Sequence, residues 1–147
     1  MKWDDYASAS AEVGIIFTAL ALITGAMFSN ESWGAYWNWD PRQTTTLILF
    51  FLYAGYLSLR SAIENEESRA RISAVLGIFG YAGVPLTYFS TRIWFSLHPK
   101  TIGLDPLMRT IVILMMISFF VLYAYILLFS VRLKRIEREY KKLSGGW

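Results

Sequence analysis

Cysteine is absent from the 147-residue chain, and histidine occurs once, at His98. The first absence excludes disulfides, thiolate metal ligands and any prosthetic group anchored through cysteine. No residue set places a nucleophile beside a base, so the chain does not read as an enzyme. Internal repeats, low-complexity stretches and a soluble domain are also missing. The formal net charge of +3 is small, and nothing in it points to nucleic acid. What the chain has in excess is apolar residues, at 55% against about 45–50% in soluble domains.

Those residues fall in blocks: Val13–Phe28, Leu47–Leu59, Ile72–Trp94 and Thr110–Val131. The last holds no charge over 22 residues, enough to cross a hydrocarbon core of about 30 Å. The second reaches that length once Thr44, Thr45, Thr46 and the segment to Ser61 are included. Acidic Asp4, Asp5 and Glu12 precede the first block, and no small-residue cleavage site follows it, so it reads as a span rather than a signal peptide. The expected fold is all-α: a polytopic bundle of four transmembrane helices in one membrane domain. The spans are placed at about 11–28, 41–61, 70–90 and 107–131. They are separated by outer loops at 30–40 and 91–106, with a basic tail at 132–147.

Charge sets the expected orientation. One side carries Lys2, Arg60, Arg69, Arg71, Arg132, Lys134, Arg135, Arg138, Lys141 and Lys142; the other carries Arg42, Arg92, Lys100 and Arg109. Basic residues favour the cytoplasm, so both termini are expected inside and both outer loops in the periplasm or its equivalent. Residues 1–12 look like the tail of a longer connection, and the segment after Val131 suits a helix continuing into the cytosol. Asp40-Pro41 with Gln43, and Asp105-Pro106, are start signals for the second and fourth helices. Gly77, Gly80 and Gly83 suit close approach of a neighbouring helix. Pro85 is expected to kink the third helix.

The first outer loop reads Trp33-Gly34-Ala35-Tyr36-Trp37-Asn38-Trp39-Asp40-Pro41-Arg42, with three of the chain's six tryptophans. An interfacial aromatic belt accounts for one or two tryptophans at a helix end, but poorly for this density. The run suits a platform for a flat, apolar ligand with an anionic edge. Trp94 and His98 lie in the loop expected on the same side. A metallated macrocycle with propionate edges matches the set. Indole planes cover its faces, Arg42, Arg92 or Lys100 meets the propionates, and His98 binds the iron. Asp40 is open to two roles at this stage, as a helix cap and as a ligand contact. Met27 and Met108 are the other conceivable axial donors, though methionines at helix ends are usually packing.

The Trp33–Arg42 run resembles the tryptophan-rich "WWD" signature of the haem-handling proteins of cytochrome c maturation, shared by CcmC, CcmF and CcsA. Four further stretches are similar to CcmC in particular. The first is Ala11-Glu12-Val13-Gly14 with Phe17-Thr18-Ala19-Leu20 and Thr24-Gly25. The second runs from Thr44-Thr45-Thr46-Leu47 to Tyr53-Ala54-Gly55-Tyr56-Leu57. The others are Val84-Pro85 with Tyr88-Phe89-Ser90, and Trp94-Phe95-Ser96-Leu97-His98-Pro99. The resemblance spans about residues 8–132.

The resemblance implies a plasma-membrane protein that presents non-covalent haem b, in transit, on the outer face. It implies transfer to a CcmE-like haem chaperone, alongside CcmA-, CcmB- and CcmD-like transporter subunits and membrane lipid. His98 matches the family's second external histidine; Trp33, Trp37, Trp39 and Asp40 match the signature, with Tyr36, Arg42, Arg92 and Trp94 expected around the ligand. The family pattern has six spans, and this sequence aligns from the loop before the third. The first external histidine is therefore expected from elsewhere, for instance a separate two-helix half, unless the chain is truncated or one histidine suffices. Two other classes stay open: a non-haem assembly subunit of a transporter, and a haem ligase of the CcsA or CcmF kind. The ligases carry further histidines within their spans, which this chain lacks.

Overall fold

The computed structural model describes residues 2–99 and 103–144, apart from the side chain of Lys2. It is built of four helices: α1 Lys2–Trp33, α2 Pro41–Ala62, α3 Glu66–Ile93 and α4 Pro106–Leu143. No strand occurs among the described residues. All four helices are long and apolar enough to cross a membrane. The chain is an all-α, multi-pass membrane protein.

The helices outrun the apolar blocks. α1 takes in the polar residues ahead of the first block, and α4 continues through the basic tail to Leu143. Backbone hydrogen bonding does not depend on side-chain polarity, and charged residues at the polar ends of α3 and α4 pair one turn apart. Glu67 meets Arg71 at 3.1 Å and Glu137 meets Lys141 at 2.8 Å. The link between α2 and α3 shrinks to Ile63–Asn65, because Asn65 caps α3 by accepting the Ser68 amide at 2.9 Å. Glu66 and Glu67 then lie in the first turn of α3, where negative charge is favoured. Pro85 removes one backbone donor, yet α3 runs on past it to Ile93.

The chain divides into two compact units, Gly14–Ile102 and a second made of residues 1–13 with 103–147. In the first, α2 packs along α3. The glycines of α3 make this possible. A Cβ on Gly77 would stand 3.8 Å from the Tyr56 ring, one on Gly80 3.6 Å from the Tyr53 ring, and one on Gly83 2.9 Å from Leu49 Cδ1. The Tyr53 ring also lies 3.6 Å from where a Gly14 Cβ would be, so it fills the space between a glycine of α1 and one of α3. Gly80 is buried. Gly80→Leu therefore inserts a side chain where only a ring edge fits. It is expected to cost about 1–3 kcal/mol, read as a lowered unfolding midpoint in detergent with Gly25→Leu, in open space, as the control.

In the second unit, the start of α1 is stapled to α4 by polar side chains. Asp5 pairs with Arg138, Glu12 with Lys134 at 2.6 Å, and the Ser10 and Tyr123 hydroxyls share a hydrogen bond of 2.7 Å. Arg135 stacks over the Tyr6 ring at 5.9 Å. Asp105 caps α4 through the Met108 amide at 2.9 Å, ahead of Pro106. Along its length α4 buries Val131 alone and shows apolar side chains on every face, a surface suited to lipid.

Candidate functional site

Within the first unit, the loop between α1 and α2 and the loop after α3 meet at one end of the helices. The first is closed by backbone chemistry. Gly34 adopts φ 75°, and its N–H donates to the Asn30 carbonyl at 2.9 Å, which ends α1 in a left-handed cap. Trp39 also lies in the left-handed region, at φ 54°, a conformation that costs a residue with a Cβ about 1–2 kcal/mol. Polar side chains hold it there. The Ser29 hydroxyl donates to the Ala35 carbonyl at 2.7 Å, and Asn38 Nδ2 donates to Ser29 Oγ at 2.9 Å. Gln43 reaches back from the first turn of α2 and accepts the Asn38 amide at 3.1 Å. The capping-box pattern predicts that bond to the amide of Asp40; the left-handed turn at Trp39 brings Asn38 into its place.

Asp40 is the junction. Its side chain is 1% exposed and its carboxylate accepts four hydrogen bonds. Oδ1 takes the Arg42 amide at 2.9 Å, which caps α2, and His98 Nδ1 at 2.9 Å. Oδ2 takes the Ser96 hydroxyl and the Leu97 amide, both at 2.7 Å. Burial alone would push the carboxyl pKa up. The hydrogen bonds from Ser96, Arg42 and Leu97, with the neighbouring imidazole, outweigh burial and hold it below the ordinary aspartate value. Ser96 Oγ in turn accepts the His98 amide at 3.1 Å, a short side-chain turn that folds the loop back on itself.

The His98 ring is 20% exposed and packs edge-on against Trp33, centroids 4.8 Å apart. Phe28 also packs edge-on against Trp33, centroids 5.8 Å apart. No described residue engages Nε2. The arrangement is a half-buried imidazole against an indole, with one nitrogen committed to a buried carboxylate and the other without a hydrogen-bond partner among the described residues.

The family model described as CcmC, heme exporter protein C, matches residues 3–145. The chain belongs to this family. It is 35% identical to heme exporter protein C of Bradyrhizobium diazoefficiens over 147 residues, covering 95% of this chain and 56% of that protein. It is 37% identical to the Paracoccus denitrificans protein of the same name, covering 86% and 56%. For the Escherichia coli K12 protein the figures are 34%, with 70% and 44% covered. The chain spans about half the length of the curated relatives it matches.

Among the family signature residues, the structure brings together Trp33, Asp40 and His98. Trp37 and Trp39 form a separate edge-to-face pair at 5.8 Å, with Trp39 73% exposed. Tyr36 and Arg42 are exposed, and no described residue pairs with the Arg42 guanidinium. Neither Arg92 nor Trp94 is hydrogen-bonded to the Asp40 cluster among the described residues. The Arg92 guanidinium lies over Tyr88 and Phe89 at 5.6 and 5.8 Å, and the Trp94 amide closes α3 on the Ser90 carbonyl at 3.0 Å. Met27 is exposed on α1, and Met108 belongs to the other unit. Lys100 lies outside the described residues. Sequence reading did not single out Ser96, Ser29 or Asn38 as site residues. Ser96 two places before His98 is a turn signal, but a serine in a polar loop carries no mark of a distant aspartate.

Proposed function

We propose that the chain presents haem at the outer membrane face for transfer to a haem chaperone in cytochrome c maturation. The observation that carries this reading is His98. In a family of haem exporters, the chain's one imidazole sits half-buried against Trp33 with Nε2 open, in the loop that Asp40 ties to the tryptophan signature. Nε2 is the axial donor to the iron of non-covalent haem b, the cargo. Trp33 walls the macrocycle, and the exposed Trp37–Trp39 pair and Tyr36 offer further ring surface. Arg42, exposed and unpaired among the described residues, suits a propionate through its bidentate fork. Arg92 and Trp94 are peripheral candidates.

The given sequence holds one histidine, and a second donor to the iron would come from outside these residues, for instance from a two-helix segment bearing a histidine. A CcmE-like chaperone and CcmA-, CcmB- and CcmD-like subunits are the partners this reading implies. The chain's own chemistry is then binding and presentation, with covalent capture on the acceptor.

The test is an absorbance spectrum of the detergent-purified chain, alone and with a two-helix histidine-bearing partner. A Soret band in either preparation is expected. A folded chain with no band in both would leave the assembly-subunit reading in its place.

Orientation has its own test, which the absence of native cysteine makes clean. The charge bias favours both loops outside and the tail inside. Tyr36→Cys is expected to react with an impermeant maleimide in intact cells. Lys142→Cys should react only after permeabilisation, and the reverse pattern would invert the topology.

A further inference from the structure

We propose that Asp40 is a positioning residue for His98: it fixes the imidazole as the Nδ1–H tautomer, aims Nε2 outward as the metal donor, and strengthens that donor. This rests on the haem-presenting reading and adds to it the group that sets how His98 binds. Asp40 itself has no surface to offer a ligand, with its side chain 1% exposed and both oxygens engaged. Its influence on a bound group passes through other residues.

The chemistry follows from the acceptor. An ionised carboxylate can only accept hydrogen bonds, so the 2.9 Å contact places the proton on Nδ1. Nε2 is then left with its lone pair. A negative charge behind Nδ1–H pushes electron density toward Nε2 and makes the imidazole a better donor, the carboxylate–histidine–metal arrangement. A stronger, more anionic donor favours ferric over ferrous iron.

Geometry adds a second constraint. Oδ1 faces both the Arg42 amide and the imidazole, and Oδ2 holds the loop residues Ser96 and Leu97. The carboxylate is thus locked in place on the α2 N-terminus while it orients the ring. Trp33 limits rotation through its edge-on contact with the ring, at 4.8 Å. The Trp-bearing loop and the His-bearing loop are therefore joined through one side chain.

The experiment uses the full chain in detergent. Because His98 is the one histidine, selective 15N-histidine labelling gives the spectrum of a single ring. At mildly alkaline pH the ligand-free wild type is expected to show a protonated Nδ1 and a pyridine-like Nε2. The opposite tautomer would overturn the proposal without any variant having to fold. Asp40→Asn should lose the fixed tautomer.

The haem-loaded protein supplies the second readout. Asp40→Asn is expected to lower the ferric-over-ferrous preference about tenfold, a rise of about 59 mV in reduction potential for a one-electron couple. Ser96→Ala is the graded comparison. It removes one of the four hydrogen bonds to the carboxylate and leaves the Oδ1–Nδ1 bond, so its shift should be clearly smaller than that of Asp40→Asn. Equal shifts in both variants, or none in Asp40→Asn, would overturn the donor role. A correct tautomer in a wild-type chain that takes no haem, either alone or with the two-helix partner, would support the positioning of His98 and sink the haem-presenting reading instead.

Discussion

His98→Ala is expected to strip haem from the purified chain, seen as loss of the Soret band per mole of protein. The chain holds no other imidazole and no thiol, so the variant has no equivalent donor to substitute. Removing an outer-shell partner of a metal ligand costs roughly 10–100-fold in affinity, and removing the ligand itself should exceed that. Trp33→Ala gives the scale for comparison. Its ring touches His98 edge-on at 4.8 Å, and an aromatic pair of this kind is worth about 0.5–1.5 kcal/mol. Trp33→Ala should therefore weaken haem retention by about tenfold or less. The rank order is the informative result. If His98→Ala retained haem at the wild-type level while Trp33→Ala lost it, the iron would not be bound through His98, and the tryptophan loop would carry binding alone.

The outline of the fold was legible because a bilayer imposes few solutions. A run such as Thr110–Val131 must satisfy its own backbone, so apolar length predicts a helix. The starts of α2 and α4 were legible for a different reason. Asp40-Pro41 and Asp105-Pro106 combine a side-chain acceptor with a residue that lacks an amide to satisfy. The glycine stripe on α3 announced a close neighbour, but not which one. Tyr56, Tyr53 and Leu49 of α2 fill that role, and nothing in their spacing distinguishes a residue facing glycine from one facing lipid.

The site was legible as a list of residues and not as an arrangement. Trp33 and Asp40 were named from the signature and His98 as the lone histidine of the other outer loop, yet the bond between Asp40 and His98 joins positions 58 apart. The cap was legible, but only the pairing of the two loops decides that the same oxygen also holds an imidazole. The left-handed Trp39 was hidden as well. Residues with a Cβ avoid that conformation, so no propensity predicts it, and it depends on Ser29, Asn38 and Gln43 acting together. The surroundings of Arg92 were hidden too: the last turn of α3 lays its guanidinium over its own neighbours Tyr88 and Phe89.

Arg138→Ala is expected to cause the largest loss of stability, through Asp5 rather than through the arginine. Asp5 is 3% exposed, and its second oxygen, Oδ2, has no hydrogen-bond partner. Arg138 supplies the cation that compensates it. Breaking a buried ion pair by removing one partner costs about 3–5 kcal/mol, because the other charge stays desolvated. Arg138 is about one-third exposed, so water can reach the vacated space and the lower end of that range applies. Replacing both partners behaves differently, since the desolvation cost disappears with the charges. Asp5→Asn combined with Arg138→Met should recover most of the loss. The comparison isolates the cause: unfolding midpoints in detergent should fall for Arg138→Ala and return toward wild type in the double variant. Equal losses in both would mean that the arginine stem, and not the uncompensated carboxylate, holds α1 to α4 in this unit. Glu12–Lys134 provides the internal reference. With Glu12 42% exposed and Lys134 26%, Lys134→Ala leaves a carboxylate that water already solvates, and its effect should stay within about 1 kcal/mol.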